Sequence, residues 1–313
     1  IKKGISEIKK KKNTGINTLL NKLNLKENIN TEEISFYIGP CINAPGRVGE
    51  SSLGFKILSN KYQSLYSEIA LKLLRNNQER KTLEDIILNQ AKFKMKLLKS
   101  ENKKNFLKFI MLYDKSWHPG IIGIIASRLT KEFKVPSIIV SLKKNNVKAS
   151  VRSIKGVDAS ILIDFLNKND CIISGGGHSM AGGFTLKENK INDLNDLLNK
   201  YFDKKIVKNN HLLEYDSVIE LNALSISLVE KVKEIGPFGQ ENEEPIIVVN
   251  DIKPRFIKTV GKLNNHIFCI LEDIYGDTVS AIAFNHINTN IGKAIFSKQK
   301  ISVAGKLDIY KSE

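Results

Sequence analysis

The sequence predicts an α/β protein in which a long helical connector leads to an α/β domain and then to a small β-barrel. Three observations carry this. From Gln63 to Phe109 there is neither proline nor glycine, and apolar residues recur at helical spacing (Leu65, Ile69, Leu73, Leu83, Ile87, Phe93, Leu97). Between residues 106 and 203 short apolar runs alternate with amphipathic segments, the signature of helices laid on a sheet. From residue 211 onward short alternating segments are separated by glycine, asparagine and aspartate turns, as in a small curved barrel or half-barrel.

Composition sets the outer limits. With 313 residues, 42% of them hydrophobic, the chain can build two or three domains with real cores. No run reaches eighteen apolar residues and no apolar segment follows the lysine-rich start, so neither a membrane span nor a secretory signal is expected. Cys41, Cys171 and Cys269 are far apart in apolar settings and read as reduced core residues of a cytoplasmic protein. A balance of 49 basic to 33 acidic residues, formally +16, favours a polyanionic partner such as nucleic acid. Lysine and asparagine fill surfaces throughout, however, so charge alone leaves a binding face and a compositional bias both open. The six arginines carry more meaning, because a guanidinium offers phosphate a rigid two-donor fork that lysine lacks.

Taken in order, the first 62 residues read as helix fragments, with Gly15 as a turn, a short helix around Glu32–Ile38, and a shaped loop in GPCINAPGRVG that carries Asn43 and Arg47. Ser51 or Ser52 is placed to cap a helix bearing Leu53, Phe55, Ile57 and Leu58. Residues 63–105 form the connector, a helix or helix pair bridging two domains, with Arg75, Asn77 and Arg80 close together on it. In residues 106–203 the segments FLKFIMLYD, SIIVSL, KASVRSI and Ala181–Leu186 read as strands. WHPG reads as a turn, IIGIIASRLTKEF, ASILIDFLNK and INDLNDLLNKYF as helices, and Asp158 as an N-cap. A lysine- and asparagine-rich link, Lys204–Asn210, leads to the last domain at 211–313, in which YDSVIEL is followed by a helix from about Ser225 to Ile235 and then by the short alternating segments.

Most of the distinctive chemistry sits in three segments, WHPGIIGIIASR, ASVRSIKGV and, as the organising one, CIISGGGHSMAGGFTL. A tight turn built on Gly175, Gly176 and Gly177 would converge backbone amides on an anion, and His178 would donate to phosphate or shuttle a proton. A buried, hydrogen-bonded histidine explains the same residues. Arg152 and Ser153 at a strand end would add a guanidinium fork and a hydroxyl, unless Arg152 serves an internal salt bridge. His118, held between Trp117 and Pro119, caps its turn or meets substrate. None of the five histidines joins a DxD, HxH, DHH or HExxH cluster, and no serine triad pattern is visible. The residues therefore point to binding of a phosphorylated ligand, with no catalytic residue and no metal ligand assigned.

WHPGIIGIIASRL, RSI, GGGHSMAGG and PFGQENEEP, in that order, resemble the C-terminal two-thirds of the RecJ family of single-stranded-DNA-specific exonucleases, in the DHH phosphoesterase superfamily. GPCINAPGRVG and RNNQER are similar to that family's connector. The resemblance implies the tail end of a DHH domain and a junction at 1–62, a DHHA1-like substrate-binding domain at 106–203 and an OB-like nucleic-acid-binding domain at 211–313. It further implies a 5′-to-3′ exonuclease of DNA repair and recombination acting on single-stranded DNA, with Mn2+ or Mg2+ held in the DHH domain. Arg152, Ser153, Gly176, Gly177 and His178 match the family's phosphate contacts. Asn43 and Arg47 match its junction loop, and His118, Arg75 and Arg80 are further candidate junction or DNA contacts. Val151 stands where the pattern has glycine. The DHH motif is absent from these 313 residues, so hydrolysis is expected only with a DHH domain supplied by another, separately encoded chain. A noncatalytic single-stranded nucleic-acid-binding module, with Phe238, Phe256 and Phe268 as stacking candidates, and an inactive remnant are the alternatives.

Overall fold

The computed structural model describes residues 1–25, 29–101, 107–142, 147–203, 213–239, 241–261 and 263–309. The expected boundary at 105/106, the link Lys204–Asn210, the start at 211 and the last four residues lie outside them. The chain divides into two units, one holding residues 3–203 and the other residues 1–2 together with those from 213 onward.

The first unit is built along one helix. Helices α1 (Lys2–Lys9), α2 (Thr14–Lys22), α3 (Gly39–Asn43), α4 (Pro45–Val48) and α5 (Ser52–Leu58) precede α6, a single helix of 36 residues from Tyr66 to Glu101. At 1.5 Å per residue α6 is about 54 Å long, enough to serve two cores. Its N-terminal half contributes Tyr66, Ile69, Ala70 and Leu73 to a core with Leu19, Leu20, Ile38, Cys41, Leu53 and Ile57. Its C-terminal half contributes Ile87, Ala91 and Met95 to a second core with Leu112, Trp117, Ile125 and Leu129.

Three expectations for this region are corrected. The glycine- and proline-rich stretch is helical, because Pro40 and Pro45 each fall in a first turn, where a missing N–H breaks no bond. Gly15 lies inside α2, and a Cβ there would stand 1.8 Å from the Ile57 carbonyl oxygen; it is glycine because two main chains touch. Ser51 precedes α5 as expected but makes no side-chain cap, and the Ser52 hydroxyl bonds to Glu50 instead.

Beyond α6 come β1 (Ile110–Asp114), α7 (Ile122–Phe133), β2 (Ser137–Ser141), β3 (Val147–Arg152), α8 (Ala159–Lys168), β4 (Ser174–His178), β5 (Ala181–Leu186) and α9 (Ile191–Asp203). The sheet runs β1-β2-β3-β5-β4, with β1 and β2 parallel and every other pair antiparallel. Asp158 caps α8 as expected, accepting from the Ser160 and Ile161 amides. Ile138, Val140, Val147, Val151 and Phe184 face α8 and α9 on one side, while Ile139 faces α7 on the other. Val151 points into this core and away from any ligand, paired across the strands with Gly182.

Polar ties lock the long helix to both cores. Glu84, 3% exposed, pairs with Arg80 on its own helix and with Arg128 on α7. Arg80 Nε donates to Asn77 Oδ1 at 3.1 Å, and Asn77 donates to the Cys41 sulfur at 3.2 Å. Further along, Lys94 donates to the Tyr113 carbonyl at 2.6 Å and pairs with Asp114 at 2.8 Å. Burial alone would raise the Asp114 carboxyl; Lys94 with the Ser116 hydroxyl and amide overcomes it and holds the pKa at about 2.

The second unit contains β6 (Ser217–Val218), α10 (Ile226–Ile235), β7 (Ile247–Val260), β8 (His266–Glu272), β9 (Thr278–Ala283), α11 (Asn290–Phe296) and β10 (Ile301–Gly305). Its sheet runs β10-β7-β8-β9, with β6 against β7, and curls around Val249, Ile252, Ile267, Cys269, Leu271 and Ile295. The long β7 shifts register between Arg255 and Lys258, and this bulge turns it from β10 toward β8. The result is a curled half-barrel consistent with an OB fold; β9 and β10 do not pair among the described residues.

Two outcomes follow from the ties. Glu84→Ala leaves two guanidinium groups without their carboxylate and is expected to cost roughly 2–4 kcal/mol in chemical unfolding, with Glu84→Gln less damaging. Because the folded pKa of Asp114 lies below its ordinary 3.8, its contribution is present above about pH 4 and is lost as pH falls toward 2. Asp114→Asn is expected to cost roughly 1–2 kcal/mol at neutral pH and to flatten the acid limb of the stability curve between those values.

Candidate functional site: a cationic groove on the open sheet face

Helix α7 packs over β2 and β3, and among the described residues no helix of this unit packs on the same face of β5 and β4 beyond it. Alternation along a strand then decides what lines the opening. Val147, Ala149 and Val151 of β3 point to the core, so Lys148, Ser150 and Arg152 point outward. The outcome is a groove of about 530 Å³ whose cations are Arg47, Lys148 and Arg152 and whose hydroxyls are Ser150, Ser174 and Thr185; among the described residues no carboxylate lines it.

Arg152 is its most constrained member. Its Nε donates to Ser127 Oγ at 3.0 Å, and its Nη1 donates to Ser150 Oγ at 3.2 Å and to the Val151 carbonyl at 2.8 Å. No carboxylate pairs with it among the described residues. Burial, and then the neighbouring Arg47, pull its pKa below the usual guanidinium value. Two guanidinium groups held near each other without a counter-charge are an anion site by electrostatics. The internal salt bridge that offered another explanation for Arg152 is not present among the described residues.

The glycine-histidine segment lies beside this groove in a form the sequence did not suggest. Ser174–His178 is an extended strand paired with β5, so its amides alternate in direction and do not converge as a tight turn would make them. The glycines divide by face. A Cβ on Gly175 would meet Phe184 at 2.6 Å and Ile163 at 3.0 Å, one on Gly177 would meet the Ala181 oxygen at 2.4 Å, and one on Gly182 would meet Ile163 at 2.4 Å. These three let α8 and the paired strand approach. Gly176 is paired with Gly183, which lines the groove, and has nothing within 4 Å of the added atom, so its own face of β4 stands open. His178, Ala181 and Arg152 are cross-strand partners in one row, which puts His178 on the Arg152 face. Two strand spacings separate them, about 10 Å. His178 is exposed, not the buried histidine weighed for this position.

The other candidates scatter. Ser153 is 5% exposed with its hydroxyl donated to the Val157 carbonyl at 2.5 Å, and its amide bonds to the Met180 carbonyl at 2.9 Å. His118 caps its turn, its Nδ1 accepting from the Gly120 amide at 3.1 Å. Arg80 is committed to Glu84. Arg75 and Asn43 are exposed on α6 and α3 and do not line the groove. Ser150, Lys148 and Ser127 were missed, although counting back by twos from Arg152 finds the first two. Nor does the site sit at strand ends, where α/β sheets usually hold ligands; it lies across a bare half-face.

The resemblance implied Mn2+ or Mg2+. Among the described residues no group of three or more His, Cys, Asp or Glu could hold a metal ion, so the residues here do not fit that group and no chemistry is routed through it. In the second unit Phe256 is 78% exposed at the β7 bulge, whereas Phe268 is half-buried with Lys258 Nζ 4.8 Å from its ring centre.

Comparison with known proteins agrees with this architecture. Residues 104–204 match the DHHA1 domain and residues 215–312 the RecJ OB domain. Over 296 residues the chain is 29% identical to the single-stranded-DNA-specific exonuclease RecJ of Haemophilus influenzae, covering 90% of this chain and 50% of that protein. The Bacillus subtilis counterpart is 25% identical over 304 residues, 92% of this chain and 37% of that one. The chain thus spans half or less of the length of these relatives. Among solved structures, RecJ of Thermus thermophilus in complex with Mn2+ superimposes with a TM-score of 0.69 at 22% identity over 99% of this chain and 46% of its own, a likeness of fold. An exonuclease RecJ bound to manganese does so with a TM-score of 0.54 at 27% identity over 65% of this chain and 49% of its own. The chain therefore carries a DHHA1 domain followed by a RecJ OB domain and resembles the C-terminal part of RecJ exonucleases.

The two classes of glycine are separable by mutation. Gly177→Ala is expected to destabilise the fold by about 2 kcal/mol or more, since the clash is with main chain. Gly176→Ala should leave thermal stability within about 1 kcal/mol while weakening ligand binding in the groove. Melting temperatures and binding isotherms on the two variants check this.

Proposed function

We propose that this chain is the substrate-gripping portion of a RecJ-like 5′-to-3′ single-stranded-DNA exonuclease, with the groove between α7 and β4 as its phosphate seat. The observation that carries the reading is the half-buried Arg152 guanidinium, unpaired with any carboxylate among the described residues, in a groove lined by three cations and three hydroxyls. In this reading Arg152 and Arg47 hold one phosphate, Ser150 orients Arg152, and Lys148 adds charge at the rim. His178, about 10 Å along the same face, meets the strand further on. Gly176 lets the backbone of the ligand lie close. The half-barrel unit guides the strand, with the exposed Phe256 ring as a stacking platform.

Bond cleavage belongs, in this proposal, to a DHH domain outside these residues that carries Mn2+ or Mg2+ and is supplied by a separately encoded chain. The metals would supply the nucleophile and neutralise charge; the residues described here bind, orient and restrain the strand. A cytoplasmic setting in DNA repair and recombination is part of the same reading and agrees with three free, buried cysteines. No helix among the described residues is long and apolar enough to cross a membrane.

The test is fluorescence anisotropy with a 5′-phosphorylated single-stranded oligonucleotide, together with a manganese-dependent digestion assay. Binding without digestion is expected. Arg152→Ala should weaken binding about tenfold and lower the salt slope by roughly 0.7, the loss of one phosphate contact on a single strand. Unchanged binding would remove the groove as the seat, and digestion by these residues alone would overturn the division of labour.

A further inference from the structure

We infer that Gly120 is a positioning residue whose backbone contact with Arg47 sets where the second guanidinium of the groove stands. The inference rests on reading the groove as a phosphate seat. Three glycines among the described residues, Gly156, Gly261 and Gly276, have the left-handed backbone that favours glycine, and Gly120 is not one of them. Its reason for lacking a side chain is therefore spatial. A Cβ there would stand 2.1 Å from the Arg47 carbonyl oxygen, 2.9 Å from its carbonyl carbon and 3.0 Å from its Cα. All three are main-chain atoms of a short helix, α4, and cannot rotate aside.

The contact is reciprocal. The Gly120 carbonyl accepts a hydrogen bond from Arg47 Nη1 at 3.2 Å, so one residue fixes both ends of Arg47, its backbone and its guanidinium. Gly120 is itself fixed from behind. Its amide donates to His118 Nδ1 at 3.1 Å, and the His118 carbonyl accepts from the Ile121 amide at 2.9 Å. Trp117, fully buried, anchors that turn through Nε1 to Gln90 at 2.8 Å and through its carbonyl to the Ser141 hydroxyl at 2.6 Å.

Arg47 needs such a holder. It is exposed on a four-residue helix, and Arg152 repels it. An arginine free to choose would swing toward solvent, away from the like charge. Gly120 removes that choice before a ligand arrives, so phosphate meets two guanidinium groups already in place.

A double-mutant cycle on the full chain tests this, read by anisotropy with a single-stranded oligonucleotide across a salt series. Gly120→Ala is expected to weaken binding about five- to tenfold and to lower the salt slope by roughly 0.7, as Arg47→Ala does. In the Arg47→Ala background Gly120→Ala should change neither quantity, because the group it positions is gone. An effect of Gly120→Ala that adds to that of Arg47→Ala would overturn the inference, as would a Gly120→Ala chain that binds like the wild type. Should Gly120→Ala lose its cooperative melt, His118→Ala carries the same cycle: coupling to Arg47 upholds the inference and additivity defeats it. Failure of the groove itself is seen separately, in an Arg152→Ala chain that binds unchanged.

Discussion

A single buried carboxylate holds the first unit together. Glu84 lies midway along a 36-residue helix, between the stretch that closes the N-terminal core and the stretch that closes the α/β core. A helix of that length flexes, and two cores hung from its ends would shift against each other if only apolar contacts joined them. Glu84 prevents this by taking Arg80 from its own helix and Arg128 from α7, while Asn77 carries the network on to Cys41 in α3. Arg128 follows Ser127, whose hydroxyl receives Arg152. The charge that fixes the scaffold is therefore one residue removed from the contact that aims the groove's main cation.

Electrostatics in the groove work by omission. The chain has many ion pairs on its surface, most between flexible lysines and acidic residues, and such pairs contribute little. In the groove no acid among the described residues neutralises Arg47, Lys148 and Arg152. Keeping cations together costs free energy in the empty protein, and the serine hydroxyls, backbone carbonyls and the Gly120 contact offset that cost by holding the geometry. An incoming phosphate then relieves repulsion as well as forming hydrogen bonds.

Sequence reading succeeded where one local rule governs. The absence of breakers announced the long helix, Asp158 sits at the cap its position suggests, the helix expected from Ser225 to Ile235 forms over Ile226–Ile235, and Ala181–Leu186 forms the expected strand. It failed where glycine or proline answers to something distant. Pro40 and Pro45 looked like breakers but occupy first turns, and Gly15 looked like a turn but is a point of contact between two segments far apart in sequence. The glycine run beside His178 suggested a loop, because nothing in the sequence shows that Ile163 of α8 needs the space above Gly175 and Gly182. Helix α11 escaped notice, although Thr289 caps it with its side chain. At the site Arg152 was legible and Ser150 was not, for adjacency to Arg152 suggested Ser153 where strand alternation selects Ser150, two residues before the arginine.

That alternation has a genetic consequence. Strand β3 writes two messages in one run of six residues, its odd positions filling the core and its even positions furnishing the groove. Neither message can be shifted alone. Insertion or deletion of one codon at the start of the strand would bury the cations and expose the valines together. The strand is thus open to revision by substitution and closed to revision by length.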